Sequence, residues 1–165
     1  MLNRPIRRKD RQLPSEEALS ILKSGAYGVL SVADAKGWPY GVPVNYIVLD
    51  GNIYLHCAKK AAIMEIISLN DKVCFTVVTN HQLVPEHITA LYESVIVFGH
   101  AAAVTEEAER HLVLEGLIDI LADVSPEIRT GYSEKKGDNT GLVRIIPAKS
   151  TGKASRAYVP VTERM

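Results

Sequence analysis

Apolar and polar residues alternate along several short stretches that are rich in Val, Ile and Tyr. One of them covers residues 40–49 and ends at Asp50 and Gly51, a dipeptide suited to the positive φ angles of a two-residue hairpin turn. Residues 52–57 resume the strand pattern directly after this dipeptide. The pattern therefore predicts a tight β-hairpin in the first part of the chain.

The same pattern predicts further strands and three helices. The strands are expected at residues 26–33, 72–79, 93–104 and 142–146. Apolar residues recur at helical spacing over residues 61–69 and 106–123, and the acidic first turn and basic last turn of residues 15–24 predict a helix there. Ser15 and Thr105 are the expected N-caps of the first and third helices, and Gly25 is the expected stop of the first. Gly99 is expected at a bulge or a close backbone approach.

These elements are joined mostly by short connections, which restricts the architecture. Residues 80–91 and 133–140 are expected to be loops, and the chain after residue 146 is expected to be weakly structured. Because a parallel crossover needs about a dozen residues, most neighbouring strands must be antiparallel. A barrel also leaves no unpaired sheet edge. The predicted fold is therefore mainly β with flanking helices, a barrel of about six antiparallel strands.

Length and charge narrow the classes of function. The 165 residues are expected to form one domain at 15–150, with a basic arm at 1–14 and a tail at 151–165. Lys plus Arg and Asp plus Glu both total 19, so nucleic-acid binding through bulk charge is disfavoured. We interpret the arm as solvated, in preference to a phosphate or RNA contact. The lack of a long apolar run or a signal-peptide core predicts a cytoplasmic protein without membrane contact.

Residue spacing also argues against metal and thiol chemistry. Cys57 and Cys74 are the only cysteines, and both lie in apolar strand patterns typical of reduced core thiols. No histidine has the i, i+4 partner of a zinc protease, which applies to His81, His87, His100 and His111. We therefore expect no metal site.

The residues that could bind a ligand or transfer a proton are concentrated around the hairpin. Lys59 and Lys60 follow the second hairpin strand and precede a helix, where free backbone amides add to the charge of the two ammonium groups. This arrangement predicts a phosphate site. His56 is the polar residue near the end of that strand, and a neutral imidazole there would donate to a ligand oxygen or exchange a proton. A purely structural role for His56 is an equally weighted alternative.

Other residues around the hairpin are candidates for contacts with a ligand. Cys57 follows His56 and is expected to point to the opposite strand face, which disfavours a His–Cys nucleophilic pair. Pro43 implies an edge or a break in the strand, through which Val44 and the Asn45 amide would face a planar polar ring. A simple strand irregularity is the alternative. The candidate cofactor-binding residues are Pro43, Val44, Asn45, His56, Cys57, Ala58, Lys59, Lys60 and Ser94. For Ser94, which precedes an apolar run, an ordinary serine at the start of a strand is the slightly favoured alternative.

Five segments in this order resemble the 5-nitroimidazole-resistance branch of the pyridoxamine-5′-phosphate-oxidase-like proteins. They are GWPYGVPVNY, NIYLHCA, LNDKVCFTVV, YESVIVFGHAAAV and STGKAS. The resemblance implies an FMN-binding split β-barrel, a homodimer with FMN at the subunit interface, and a reductase-type activity in which His56 is the catalytic candidate. The chain departs from the family pattern at residues 61–63, where a Gly and a later basic residue are absent.

The resemblance and the residues together leave three functions to compare. The first is an FMN-dependent oxidoreductase that passes electrons from a reduced nicotinamide to a small acceptor, with nitroaromatics as one class. The second is a non-catalytic flavin- or haem-binding stress or sensor module, with His56 as an axial ligand. The third, oxidation of pyridoxamine phosphate itself, is disfavoured because the expected basic substrate-binding tail is absent. Trp38 and Tyr40 are candidates for a lid or a dimer contact, and the alternative is that they are surface aromatics beside a turn without a function.

Overall fold

The computed structural model describes residues 5–120, 125 and 139–156, which contain eight strands and three α-helices. The strands are β1 (Gln12–Leu13), β2 (Gly28–Ala33), β3 (Pro39–Val44), β4 (Tyr46–Leu49), β5 (Asn52–Ala58), β6 (Lys72–Val84), β7 (Thr89–Ala103) and β8 (Thr140–Ser155). The helices are α1 (Ser15–Ser24), α2 (Ala62–Leu69) and α3 (Glu107–Asp119). Single 3-10 turns occur at Lys9–Arg11 and Pro85–His87.

All strand pairs are antiparallel, and the sheet follows the order β3-β2-β6-β7-β8-β5-β4, with β1 added to β8. The strands at the two ends of this order, β3 and β4, are consecutive in the chain and are joined by Asn45. The sheet is therefore rolled so that its two ends meet at Asn45. The predicted class, an antiparallel barrel with flanking helices, is confirmed. The described part has eight strands because residues 40–49 change partners at Asn45 and because the arm contributes β1.

The barrel interior and the face beneath α3 form two separate hydrophobic clusters. Buried residues from β2, β4, β5, β6, β7 and β8 contact one another inside the barrel, where α1 and α2 contribute further side chains. Tyr46 belongs to this interior, and its ring meets Phe75 edge-on at 4.8 Å between centroids. The second cluster packs Val113, Leu114 and Leu117 of α3 against the outside of β4, β5 and β8. Residues on β5 thus alternate between an interior and an α3-covered face.

Several local predictions are confirmed by backbone geometry. Asp50 and Gly51 have φ angles of 48° and 78°, as a two-residue hairpin turn with two positive φ angles requires. The pairing of β7 with β8 shifts register between Phe98 and Gly99. A Cβ on Gly99 would lie only 2.4 Å from the Ile146 carbonyl oxygen, so the expected close backbone approach is present.

Two predictions of irregular chain are wrong. Residues 80–91 are mostly strand, because β6 runs to Val84 and β7 begins at Thr89. The chain after residue 146 continues β8 to Ser155, paired with β7 as far as Tyr92. Polar residues, Pro and Gly mask the alternation in both segments, whereas pairing with a neighbouring strand supplies the backbone hydrogen bonds that hold them extended.

The helix caps also differ from the prediction. α1 begins at Ser15 with Pro14 at the N-cap position, so Ser15 lies inside the helix, while Gly25 ends it as expected. α3 begins at Glu107 after Glu106, without a side-chain cap, so Thr105 does not serve as the cap. Residues 121–124, at the predicted end of this helix, and most of the predicted loop at 133–140 lie outside the described residues.

The basic arm is in contact with the barrel. Gln12 and Leu13 pair with Lys153 and Gly152 of β8, so the interpretation of the whole arm as solvated is wrong for its last residues. The β8 backbone at this point offers an open edge because β7 occupies only one side of it. Strand addition therefore ties the arm to the sheet.

Candidate functional site

The turn between β5 and α2 carries Lys59 and Lys60, and both side chains are exposed. The backbone of this turn is anchored to the segment that leads into β8, because the N–H of Lys59 donates to the carbonyl of Asn139 over 3.1 Å. β8 also passes close to it: a Cβ on Gly141 would lie 3.3 Å from the Lys59 Cα. The two ammonium groups therefore extend into solvent from a fixed backbone.

The start of α2 lies directly after the two lysines. The N–H of Ala61 donates to the carbonyl of Ala58 over 2.9 Å, and the N–H of Met64 donates to the carbonyl of Ala61 over 2.9 Å. The amides of Ala62 and Ile63 have no backbone acceptor within the described chain. Two ammonium groups and two open amides thus share one end of a helix, which is a donor set suited to a phosphate.

His56 and Cys57 point to opposite faces of β5, as the sequence predicts. The His56 side chain is exposed, whereas Cys57 is half-buried and packs against the barrel interior. Burial raises the pKa of the Cys57 thiol above its ordinary value, which keeps the thiol protonated at neutral pH. The geometry therefore excludes a His–Cys nucleophilic pair, and Ala58 completes the exposed end of the strand next to Lys59.

A polar network lies two residues before His56 on the same face of β5. The Tyr54 hydroxyl donates to Glu109 Oε1 over 2.9 Å, and Arg144 Nη1 donates to the same oxygen over 2.8 Å. Tyr54 and Arg144 are direct cross-strand partners in β5 and β8. Arg144 Nε is buried and has no hydrogen-bond partner among the described residues. The network fixes α3 over the face on which His56 lies.

Asn45 connects the two ends of the sheet close to His56. Tyr46 is paired with Leu55, so the preceding residue, Asn45, reaches the level of His56 on the neighbouring strand. The Asn45 side-chain amide donates to the Ala26 carbonyl over 2.9 Å. That donor therefore supports the barrel junction, while the side-chain carbonyl oxygen of this exposed residue accepts no hydrogen bond from the described residues.

Pro43 and Val44 lie in the edge strand β3, opposite Val29 and Gly28 of β2. The edge position predicted for Pro43 is confirmed, since β3 ends the strand order and leaves one side of its backbone without a sheet partner among the described strands. Together with Asn45, these residues form the rim of the barrel next to the hairpin. Asn45, which follows them, links this rim to β4, the strand that pairs with β5.

Ser94 is not brought to His56 within one subunit. Its hydroxyl donates to the Lys153 carbonyl over 3.3 Å, whereas His56 is paired with Leu142. Lys153 and Leu142 are eleven residues apart on β8, which corresponds to a strand length of roughly 36 Å. Within one subunit, Ser94 and His56 therefore lie beside opposite parts of β8.

Two clefts occur elsewhere in the described part of the chain, and neither is lined by the candidate residues. The larger, about 390 Å³, lies between α1, β4 and α3. The smaller, about 220 Å³, lies at the base of the β6–β7 hairpin and includes Asn80, Gln82, Glu93 and Ser155. We call it the bulge cleft. The sequence did not reveal this cleft, because residues 80–91 were expected to be a loop. The available signal was Asn80 itself, since asparagine tolerates a positive φ, and in the structure its φ is 52°.

Comparison with known proteins identifies the family. Residues 14–154 match the pyridoxamine 5′-phosphate oxidase family. The chain belongs to this family. Among curated proteins, none matches this member of the pyridoxamine 5′-phosphate oxidase family.

Several solved structures have a fold similar to that of this pyridoxamine 5′-phosphate oxidase family member. A candidate 5-nitroimidazole antibiotic resistance protein from Bacteroides thetaiotaomicron is 22% identical, with a TM-score of 0.74 over 87% of this chain and 86% of that one. A flavocytochrome from Azotobacter vinelandii is 16% identical, with a TM-score of 0.79 over 97% and 77%. An FAD-binding protein from Mycobacterium smegmatis is 22% identical, with a TM-score of 0.61 over 89% and 99%. At these identities the likeness establishes the shared fold.

Two further properties of this family member concern metals and membranes. Within residues 5–120, 125 and 139–156, no three His, Cys, Asp or Glu side chains gather as a metal site would require. None of the helices in the same ranges is long and apolar enough to cross a membrane.

Proposed function

We propose that this protein is a flavin-dependent oxidoreductase that binds FMN. The observation that carries the proposal is the donor set at the β5–α2 turn, where Lys59 and Lys60 stand beside the open amides of Ala62 and Ile63. A phosphate monoester is a dianion with three acceptor oxygens, and it is matched by two cations and two aligned N–H groups. A terminal phosphate of the FMN type therefore fits the residues that are present.

The rim of the barrel supplies the remaining contacts that the proposal needs. Pro43 and Val44 offer an edge-strand backbone, and Asn45 offers a side-chain carbonyl oxygen that accepts no hydrogen bond from the described residues. His56 stands next to this rim and would donate a hydrogen bond or move a proton at its imidazole nitrogen. A bound flavin would supply the redox chemistry, while the protein positions it and sets its surroundings.

Flavin use is supported by the named cofactors of similar structures. The Azotobacter vinelandii protein is a flavocytochrome, and the Mycobacterium smegmatis protein binds FAD. We choose FMN because one basic turn at one short helix matches a single phosphate group. The absence of the family's Gly and later basic residue at 61–63 leaves Lys59 and Lys60 as the cations that replace them.

The electron donor in this proposal is a reduced nicotinamide, and the acceptor is a small molecule. Nitroaromatics are one acceptor class, supported by the resistance role in the name of the Bacteroides thetaiotaomicron structure. A homodimer completes the proposal, because it would allow Ser94 of a second subunit to contact a cofactor at His56, whose own subunit pairs these two residues with opposite parts of β8. The protein would act away from nucleic acids and membranes, in the cytoplasm.

The test is FMN binding by the purified protein and by a double variant. Lys59→Ala/Lys60→Ala should weaken FMN binding by about 1.5–3 kcal/mol for each charge-assisted hydrogen bond that is removed. Lys36→Ala/Lys72→Ala removes two exposed lysines from other turns and strands and is the matched control. Fluorescence quenching of FMN on titration with each protein gives the dissociation constants.

The outcomes separate the proposal from its alternatives. The expected results are flavin absorption in the visible spectrum, weakened FMN binding in the Lys59/Lys60 variant and normal binding in the control. Equal binding by all three proteins would place the phosphate elsewhere. A Soret band without flavin absorption would favour the haem-binding module, with His56 as the axial ligand.

A further inference from the structure

Arg110 of α3 joins the end of β7 to the beginning of β8. Its Nη1 donates to the Val104 carbonyl over 3.3 Å, and its Nη2 donates to the Thr140 carbonyl over 3.1 Å. Val104 directly follows β7, and Thr140 is the first residue of β8. One guanidinium therefore spans two strand ends, a task for which its planar fork of N–H donors is suited.

The guanidinium takes the place of backbone pairing where β7 ends. The ladder of β8 with β7 stops at Val143, and beyond it the Val104 N–H donates to the Leu142 carbonyl over 2.9 Å. Carbonyls two residues apart on a strand point to the same side, so the Thr140 carbonyl is the next one on this side of β8. Thr140 is only 7% exposed, so loss of its donor would be costly. Arg110 therefore holds the beginning of β8 in the sheet.

The opposite side of the same strand end supports the turn with the two lysines. β5 pairs with β8 along this side, and the Lys59 N–H extends the pairing by donating to the Asn139 carbonyl over 3.1 Å. The backbones also approach closely here, since a Cβ on Gly141 would lie 3.3 Å from the Lys59 Cα. The beginning of β8 thus lies between Arg110 and the β5–α2 turn. A displacement of this strand end would move the backbone that carries Lys59.

We propose that Arg110 is a positioning residue for phosphate binding at the β5–α2 turn, an inference that rests on the flavin function proposed above. Arg110 is not part of the phosphate-binding donor set, because its guanidinium is engaged with two carbonyls across β8 from the turn. Its influence passes through the Thr140 carbonyl to the neighbouring Asn139 carbonyl, which holds the Lys59 amide. A phosphate is bound tightly only where ammonium groups and free amides keep one arrangement. Loosening the strand end should therefore weaken contacts to a phosphate and spare contacts to the rest of a flavin.

Arg144 offers a matched control, because it joins the same helix to the same strand at a different place. Its Nη1 donates to Glu109 Oε1, and its partner in β5 is Tyr54 rather than a residue at the turn. Arg110→Met and Arg144→Met each remove one guanidinium between α3 and β8. Only the first variant takes the donor from the Thr140 carbonyl.

FMN and riboflavin are the probes, because they differ only in the phosphate. Arg110→Met should weaken FMN binding about tenfold, through the phosphate contacts, and should change riboflavin binding by less than about twofold. Arg144→Met should leave the ratio of the two dissociation constants at its native value. Quenching of flavin fluorescence on titration with each protein gives these constants.

Hydrogen exchange of the ligand-free protein supplies a measurement that needs no flavin. The Lys59 amide should exchange faster by about tenfold or more in Arg110→Met, because its acceptor at Asn139 is no longer held in place. In Arg144→Met it should exchange at the native rate. Arg110→Lys keeps the positive charge and loses the fork, so it is the milder variant if Arg110→Met does not fold, and both changes should appear at smaller size.

Each outcome decides between the assignments. A native preference for FMN in Arg110→Met, or native exchange at Lys59, would overturn the positioning role. Equal losses in Arg144→Met would overturn it as well, since any loosening of α3 would then suffice. Native behaviour of Arg110→Lys in both measurements would assign the effect to charge alone. A native protein that binds FMN no better than riboflavin would instead overturn the phosphate site of the proposed function, while exchange at Lys59 would still test the role of Arg110.

Discussion

His56 is an exposed residue near the end of β5, a strand whose preceding residues are packed. The residues before it, Tyr54 and Leu55, are buried on opposite faces, whereas the imidazole lies at the exposed end of the strand. Truncation of an exposed side chain usually changes stability by less than about 0.5 kcal/mol. A large effect of such a truncation on activity would therefore reflect contact with a ligand rather than loss of fold.

If the protein is the flavin-dependent reductase proposed above, we predict that His56→Ala lowers its turnover by about 10²-fold, because a positioned acid–base group contributes at least that much. The melting temperature should remain close to that of the native protein. His100→Ala is the control, since His100 is another exposed strand histidine whose ring contacts Asp71 at 2.8 Å. Steady-state rates with a reduced nicotinamide and differential scanning calorimetry measure both quantities.

The opposite pattern would assign His56 a structural role. In that case the His56 variant would melt at a lower temperature and keep its activity per folded molecule. Loss of a hydrogen-bonded core residue typically costs about 1–3 kcal/mol, which is readily measured.

Candidate residues were predictable from the sequence to different degrees. The opposite orientation of His56 and Cys57 follows from the period of two in any strand. The hydrogen bond from Asn45 to the Ala26 carbonyl was not predictable, because it depends on where two distant segments meet in the barrel. For the same reason the sequence grouped Ser94 with His56, although β8 separates their partners by eleven residues.

At the scale of elements, β7 and β8 form the longest ladder among the described strands. Gly99 lies at the one register shift in this ladder. The register shift lies between Phe98 and Gly99, where the Ile146 carbonyl approaches closely. Any side chain at this position would contact backbone atoms, which cannot move without opening the ladder. The close approach at the register shift therefore requires a residue without a side chain at position 99.

We predict that Gly99→Ala destabilises the protein by about 1–3 kcal/mol, as overpacking in a rigid environment does. Gly41→Ala is the matched control, because a Cβ there would meet nothing closer than Val29 Cγ1 at 3.5 Å. Chemical denaturation followed by circular dichroism gives both free energies of unfolding. Equal stability of the two variants would show that the ladder shifts readily around residue 99.

Elements whose apolar and polar residues alternate, or whose turn residues favour a positive φ, could be predicted from the sequence. Strands that are extended only because they pair with a neighbouring strand could not. The Asp50-Gly51 hairpin follows from local φ preferences alone. The continuation of β8 through residues 147–155 has polar, Gly and Pro residues and relies on hydrogen bonds to β7 and to the arm. Where the local strand propensity was weak, pairing with other strands therefore determined the secondary structure.

At the scale of the whole molecule, exposed aromatic residues near the edge strand β3 indicate that the protein could associate with a second copy. Several large apolar side chains remain exposed in the described chain, including Trp38 at 73%, Tyr27 at 59% and Tyr40 at 47%. Trp38 and Tyr40 lie at the start of the edge strand β3, close in the chain to Pro43. Aromatic residues are enriched in interface cores, so this edge is a reasonable place for a second copy to bind.

We predict a homodimer whose interface buries more than ~1,000 Å² and includes this edge. Sedimentation at micromolar concentration should give twice the 18.1 kDa mass of one chain. Trp38→Asp/Tyr40→Asp should shift the protein toward the monomer and weaken FMN binding together, because a cofactor shared between subunits is then held by one subunit alone. Leu112→Asp places a charge at another exposed apolar residue, 55% exposed on α3, and should leave both properties unchanged. A native protein that sediments as a monomer would contradict the dimer and, with it, the contribution of Ser94 from the partner subunit.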